Sequence, residues 1–267
     1  MWCGLCAHAS SVHDRHWITN SGADRRIAVV EPNPDLRARV AGEGIAAFAD
    51  ASELAPSISP ELIIFAVKPQ VMGVVVPAYR RFAGGSTFVS IAAGTGIAAM
   101  QGMLGETAAI IRCMPNTPAA IGHGMMVLVS NTKVGDKADA FVADLMSANG
   151  EVARIDDEQL MDAVTAVSGS GPAYIFHFIE AFAEAGRKAG LPGDIAGKLA
   201  MQTVYGAASL AVQSKDDPAT LRKQVTSPNG TTAAALDVLM APDGLEKLLT
   251  EAVEAARKRG VELGMQD

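Results

Sequence analysis

The sequence predicts an α/β fold in which a doubly wound parallel sheet is followed by an all-α domain, and three observations carry that expectation. Short runs that are apolar throughout alternate with helical stretches as far as Ile155, the pattern of strands covered on both faces. Beyond Ile155 such runs stop and every stretch reads as helix. Only 5% of the 267 residues are aromatic while Ala, Gly and Val are plentiful, a balance that suits strands packed on small-residue helices.

The elements can be taken in order. Ile27 to Val30 is a β-branched run, and Glu31-Pro32-Asn33-Pro34 turns it into a helix over Asp35 to Glu43. Leu62 to Val67 is a second apolar run, ended by Lys68-Pro69 and followed by helix to about Phe82. Thr87 to Ile91, Ala108 to Arg112, Gly124 to Ser130 and Gly150 to Ile155 read as further strands. Gly135 to Asn149 is an amphipathic helix with Ala138, Phe141, Val142, Leu145 and Met146 on one face. Helices are then expected over Asp157 to Val167, Pro172 to Ala189, Pro192 to Ser214, Pro218 to Val225, Gly230 to Met240 and Gly244 to Leu263, three of them with proline near the start, where a missing N–H is harmless. The domain boundary is expected at 155/156. The helix from Pro192 combines Ala196, Gly197, Ala200, Gly206, Ala207 and Ala208 with Leu199, Val204 and Leu210, so little of its surface suits water, and a second copy of the chain is expected to cover it.

Composition removes several classes of function. A net charge of -7 argues against nucleic acid, which needs clustered Lys and Arg. The uncharged stretch from Gly85 to Leu104 is broken by Gly, Ser and Thr, unlike a membrane span. No secretion signal is evident, so a cytoplasmic protein acting on small molecules is expected. Cys3, Cys6 and Cys113 make no disulfide framework, and although Cys3-x-x-Cys6 lies near His8, His13 and His16, no strand or second pair supports a metal site. His123 and His177 stand without a nucleophile motif, and Asp156-Asp157-Glu158 reads as a helix N-terminal charge cluster.

Four loops could carry chemistry. Ala66-Val67-Lys68-Pro69-Gln70 follows a strand, where a lysine can meet a ligand. Ser90-Ile91-Ala92-Ala93-Gly94 also follows a strand and reads as a close-approach loop beside a cofactor; the match to G-x-G-x-x-A from Gly94 lacks the acid that should follow. Arg112-Cys113-Met114-Pro115-Asn116-Thr117-Pro118 is stiffened by two prolines and suited to facing a flat ring. Val225-Thr226-Ser227-Pro228-Asn229-Gly230-Thr231-Thr232 opens a helix with free N–H groups and hydroxyls, a ready carboxylate site without any arginine. Ser168-Gly169-Ser170-Gly171-Pro172 joins helix to helix.

In this order AVKPQ, SIAAG, MPNTPA, AVSGSGPAY and VTSPNGTTAAAL resemble the delta-1-pyrroline-5-carboxylate reductase family, from about Arg26 to the end of the chain. The resemblance implies a Rossmann-like domain over 26–155 and a helical dimerisation and substrate-binding domain over 156–267. It implies hydride transfer from NADPH or NADH to the imine carbon of a cyclic imino acid, giving proline in the last step of proline biosynthesis. Ser227, Asn229, Gly230, Thr231 and Thr232 would hold the substrate, with Thr232 at the ring nitrogen as the catalytic contact. Ala66, Val67, Lys68 and Pro69, Ala92, Ala93 and Gly94, and Met114, Pro115, Asn116 and Pro118 would line the cofactor, with Glu31 and Asn33 at its ribose. Glu31 suits the ribose hydroxyls of NAD, whereas Asn33 and Arg37 could serve a 2'-phosphate and family habit leans to NADPH. A homodimer is implied, and a decamer as its higher assembly.

The chain departs from that family at 1–25, an atypical leader without the first strand and its G-x-G-x-M-G turn. Pyrophosphate would lose its main cradle there. A degenerate protein or a leader that folds in another way would also explain the departure, but an abrupt loss beside an intact remainder is what a displaced reading frame or start would leave. Two other readings predict different behaviour: a catalytically impaired dimerisation subunit of the same family, and a beta-hydroxyacid dehydrogenase-like oxidoreductase, which should carry a lysine within Ser168 to Glu180, where none stands.

Overall fold

A computed structural model describes residues 27–264, and the expectations for the leader, including Cys3, Cys6, His8, His13 and His16, lie outside the described residues. Two sheets are present. Strands β1 (Ala28–Val30) and β2 (Ala46–Phe48) pair in parallel around helix α1 (Pro34–Gly42). Strands β3 (Leu62–Phe65), β4 (Thr87–Ser90), β5 (Ala109–Met114), β6 (Gly124–Ser130) and β7 (Gly150–Arg154) form the second sheet in that order. Among the described residues no strand joins β1 to β3.

The expected parallel sheet is corrected in one respect: β6 runs antiparallel to β5, and β7 is parallel to β6. The reason lies in the connection. From Met114 to Gly124 the chain makes only a 3-10 turn, Thr117–Ile121, which reverses direction but is too short to cross the sheet. Gly122 (φ 74°) ends that turn in the left-handed region. At the next step Gly150 (φ 141°) passes so close to the Gly124 backbone that a Cβ there would overlap it.

Alternation along β4 and β5 splits the core in two. Phe88, Ile110 and Met114 join Phe65, Met72, Val76, Met100 and Leu104 on one face, while Val89, Ile111 and Cys113 join Met126, Leu128, Val142 and Met146 on the other. The first face is covered by α2 (Pro69–Val75), the 3-10 segment Val76–Phe82 and α3 (Ile97–Leu104), and the second by α4 (Asp136–Ser147). The rings of Phe65 and Phe88 stack at 6.0 Å, and Tyr79 meets Phe65 edge-on at 5.3 Å.

After β7 come a 3-10 turn (Glu158–Leu160), the short α5 (Met161–Val164) and a π-helical turn (Thr165–Gly169). Helices α6 (Gly171–Lys188), α7 (Gly193–Gln213), α8 (Pro218–Gln224), α9 (Thr231–Leu239) and α10 (Leu245–Gly264) follow. The chain separates into two compact units, one ending at Gly169 and rejoined by the chain from Arg257, the other Ser170–Ala256. By contact the division falls after the π-turn, Met161 and Val164 packing into the first core. In the second unit α6 and α7 approach closely where a Cβ on Gly186 would stand 3.3 Å from Ala196 Cβ, with Ala183, Ala196 and Ala200 buried.

Candidate functional site

Parallel pairing of β3, β4 and β5 brings three of the four loops to one edge. Phe65 is in register with Ser90, and Ser90 with Arg112, so the segments starting at Ala66, Ile91 and Cys113 leave the sheet side by side. Ala66 and Val67 are half-buried against the two faces of the core, and Pro69 is the first residue of α2. Lys68 is exposed at the helix start and makes no ion pair among the described residues. Ala92 is buried, Ala93 is exposed, and Gly94 holds φ 83°, so the chain turns out of β4 with almost no side chain in the way.

The third segment is held from behind. Met114 and Pro115 are buried, and Asn116 has both ends of its amide engaged: Oδ1 accepts from the Met125 amide at 2.9 Å, while Nδ2 donates to Ser168 O at 3.3 Å and lies 3.4 Å from Ser168 Oγ. Its side chain therefore fixes the loop rather than reaching outward. Pro118 O accepts from the His123 amide, closing the turn. The Ser168-Gly169 segment, expected to join helix to helix, is itself part of a π-helical turn against which Met114 packs, its sulfur 3.4 Å from where a Gly169 Cβ would be.

Glu31 directly follows β1, and its Oε1 accepts from the Asn33 amide at 2.8 Å. Asn33 caps α1 through Oδ1, accepting from Asp35 and Leu36, and Arg37 donates to the carbonyls of Glu31 and Pro32. Arg37 is thus already committed to holding this turn, while one carboxylate oxygen of Glu31 stays free for a pair of hydroxyls. A free carboxylate at one strand end and open backbone at Ala92 to Gly94 suit the ribose and the flat ring of a dinucleotide.

The fourth loop belongs to the second unit. Asn229 adopts φ 58°, the left-handed region, and the Gly230 amide bonds back to Ser227 O at 3.0 Å. This turn points the chain straight into α9, whose N-cap Gly230 offers no side chain. Among the described residues the amides of Thr231, Thr232 and Ala233 consequently have no backbone partner, since the first helical bond is from Ala234 to Gly230 O. No hydrogen bond engages the hydroxyls of Ser227, Thr231 or Thr232 among the described residues. Ser227 and Thr231 are exposed and Thr232 half-buried. Three amides, three hydroxyls and the positive end of a helix are donors that an anion could engage.

One residue was misjudged from sequence. Asp157 does cap its turn, accepting from Gln159, but Glu158 reaches away from the local cluster. Its Oε1 accepts from Arg112 Nη1 at 2.6 Å and from the Ile97 amide at 2.8 Å, at the start of α3. Nothing in local spacing announces a bond across 46 residues. The one available signal was an arginine inside an apolar strand, which demands a partner.

The family model described as pyrroline-5-carboxylate reductase dimerisation matches residues 158–263. A pyrroline-5-carboxylate reductase of Pseudomonas aeruginosa is 40% identical over 90% of this chain and 88% of its own length. Among solved structures, a pyrroline-5-carboxylate reductase from Coxiella burnetii superposes with TM-score 0.84 at 31% identity, over 97% of this chain and 92% of the other. The Plasmodium falciparum pyrroline carboxylate reductase, solved with NADP bound, gives TM-score 0.74 at 27% identity, covering 90% and 98%.

Proposed function

The chain belongs to the pyrroline-5-carboxylate reductase family, and we propose that the bare start of α9 holds the carboxylate of 1-pyrroline-5-carboxylate while its ring imine is reduced to proline with NAD(P)H. The observation that carries this reading is the set of unpartnered amides at Thr231, Thr232 and Ala233 behind the left-handed Asn229. An anion there gains charge-assisted bonds without a buried arginine. The Thr232 hydroxyl serves the ring nitrogen, and Ser227 and Thr231 complete the grip.

Lys68, Ala92 to Gly94 and Met114 to Pro118 would hold the nicotinamide half, with Asn116 and Pro118 acting by fixing their loop. Glu31 and Asn33 would hold the adenosine ribose. When bound, reduced nicotinamide supplies the hydride. A protonated imine is already a good acceptor, so this chain needs to orient its substrate and exclude water more than to supply a strong acid. That fits a site without histidine.

Ile175, Phe176, Phe178 and Phe182 on α6 and Leu199, Met201 and Tyr205 on α7 are exposed in the single chain. Such a surface supports a homodimer through these helices, with a decamer as a further assembly. No helix among the described residues is long and apolar enough to cross a membrane; the cytoplasm is the compartment we propose.

The test is a single preparation assayed two ways. Purified protein should consume reduced nicotinamide only when 1-pyrroline-5-carboxylate is present, and should sediment at no less than twice the chain mass. An inert dimer would favour the impaired-subunit reading, and turnover of a beta-hydroxyacid instead would favour the dehydrogenase-like one.

A further inference from the structure

We propose that Glu158 is a positioning residue for this reduction: one carboxylate oxygen locks the Ala92 to Gly96 loop to strand β5 and so sets where the cofactor-side edge of the sheet lies. The proposal rests on the reading of that edge as the cofactor's.

The argument starts from Arg112. It sits on β5 between Ile110 and Met114, on the face that builds the first core, and is 8% exposed. A guanidinium so placed needs a carboxylate, and Glu158 supplies one from the turn after β7 at 2.6 Å. The same oxygen also takes the Ile97 amide, at the positive end of α3. Two donors from two different segments therefore converge on one atom, and the segments are those that flank the cofactor-side loops: Ile97 ends the loop after β4, and Arg112 lies two residues before Met114.

Ala92, Thr95 and Ile97 are buried, but among the described residues the loop has few other hydrogen bonds. Among the described residues the Ala92 amide turns back to Ser90 Oγ, and the Thr95 hydroxyl is buried with no partner at all. Among the described residues, the hydrogen bond that ties the stretch from Ala92 to Ile97 to a distant part of the fold is the one to Glu158. Gly94 and Gly96, which flank Thr95, stiffen nothing. Removing the carboxylate frees the loop after β4 and leaves a buried cation beside it, so both edges shift at once. A misplacement of about 1 Å at such an edge is enough to slow a reaction by orders of magnitude.

Steady-state kinetics with both substrates varied separates positioning from plain stability. Glu158→Ala should raise KM for NADPH about tenfold and lower kcat about tenfold, leaving KM for 1-pyrroline-5-carboxylate within about twofold. Glu158→Gln keeps an acceptor oxygen in the same place and should lie closer to the wild type than to Glu158→Ala in both quantities. A lower melting temperature for Glu158→Ala with unchanged kcat per folded molecule and unchanged KM would overturn the proposal, as would Glu158→Gln matching Glu158→Ala. Should Glu158→Ala not fold, Glu158→Asp replaces it, since its shorter arm cannot reach both donors; wild-type kinetics from that variant would equally overturn it. Wild-type protein without turnover would remove the reduction itself and this role with it, whereas active wild type with indifferent variants counts against Glu158 alone.

Discussion

Thr232 is half-buried at the second position of α9 with its hydroxyl uncommitted, and its amide is one of three that lack a partner. Backbone and side chain thus have separable tasks. Thr232→Val keeps the amide and the shape but deletes the hydroxyl, so carboxylate binding should survive while the bond to the ring nitrogen is lost. The expected result is a fall in kcat/KM for 1-pyrroline-5-carboxylate of about tenfold to a hundredfold, the cost of one hydrogen bond strengthened in the transition state, with KM for NADPH unchanged. Equal kcat/KM in the two proteins would remove Thr232 from the site. Single residues were legible from sequence where local chemistry decided their geometry, as at Ser227 to Thr232, where the chain turns through Asn229 into the bare start of α9. They were illegible where the partner is remote: Asn116 was expected to face the cofactor, but its amide is spent on Met125 and Ser168, and Glu158 finds Arg112 across the sheet.

At the scale of elements, those with a hydrophobic period or a proline start were readable to within a few residues, α6 at Gly171–Lys188 and α8 at Pro218–Gln224 among them. Two were overlooked. Ala46–Phe48 is a three-residue strand between a helix stop and an acidic turn, too short for any period to show. Ile97–Leu104 is apolar nearly all round, so no face distinguished it. The π-turn at Thr165–Gly169 is set by packing against Met114, information that is not local. A capped element offers a test by pH. Asp217 caps α8, its Oδ1 accepting from the Thr220 amide at 2.8 Å, and that bond holds its carboxyl below the usual aspartate range. A carboxylate whose folded value is lowered stabilises the fold above its unfolded value, about 3.9, and loses that contribution as pH falls through the lower folded value. Asp217→Ala should therefore unfold at less urea than wild type at neutral pH, and the gap should close in acid below that window. A gap that persists there would mean the cap works by packing and not by charge.

For the whole molecule, the alternation of strands with helices and the helical tail follow from patterns the sequence displays, whereas the pairing order of the strands, the two cores and the one antiparallel pairing between β5 and β6 were announced by no pattern. The balance of the binding surfaces is a further whole-chain property. On the proposed reading the start of α9 would supply donors to an imino acid's carboxylate and the strand ends would meet ribose and ring, but the segment 1–25 contains no G-x-G-x-M-G to cradle a pyrophosphate. A dinucleotide's pyrophosphate is anionic, and a glycine turn at a helix N-terminus is how this fold class meets it. The two ligands should accordingly differ in affinity. Titration of purified protein with NADPH, followed by nicotinamide fluorescence, should give a dissociation constant well above micromolar, and replacing 1–25 with a strand, a G-x-G-x-M-G turn and a helix start should tighten it by about tenfold or more, a gain of about 1.4 kcal/mol. Micromolar binding by the chain as it stands would show that the phosphates are met by other groups, and the weight assigned to the glycine turn would then pass to Lys68, the uncommitted cation at the cofactor-side edge.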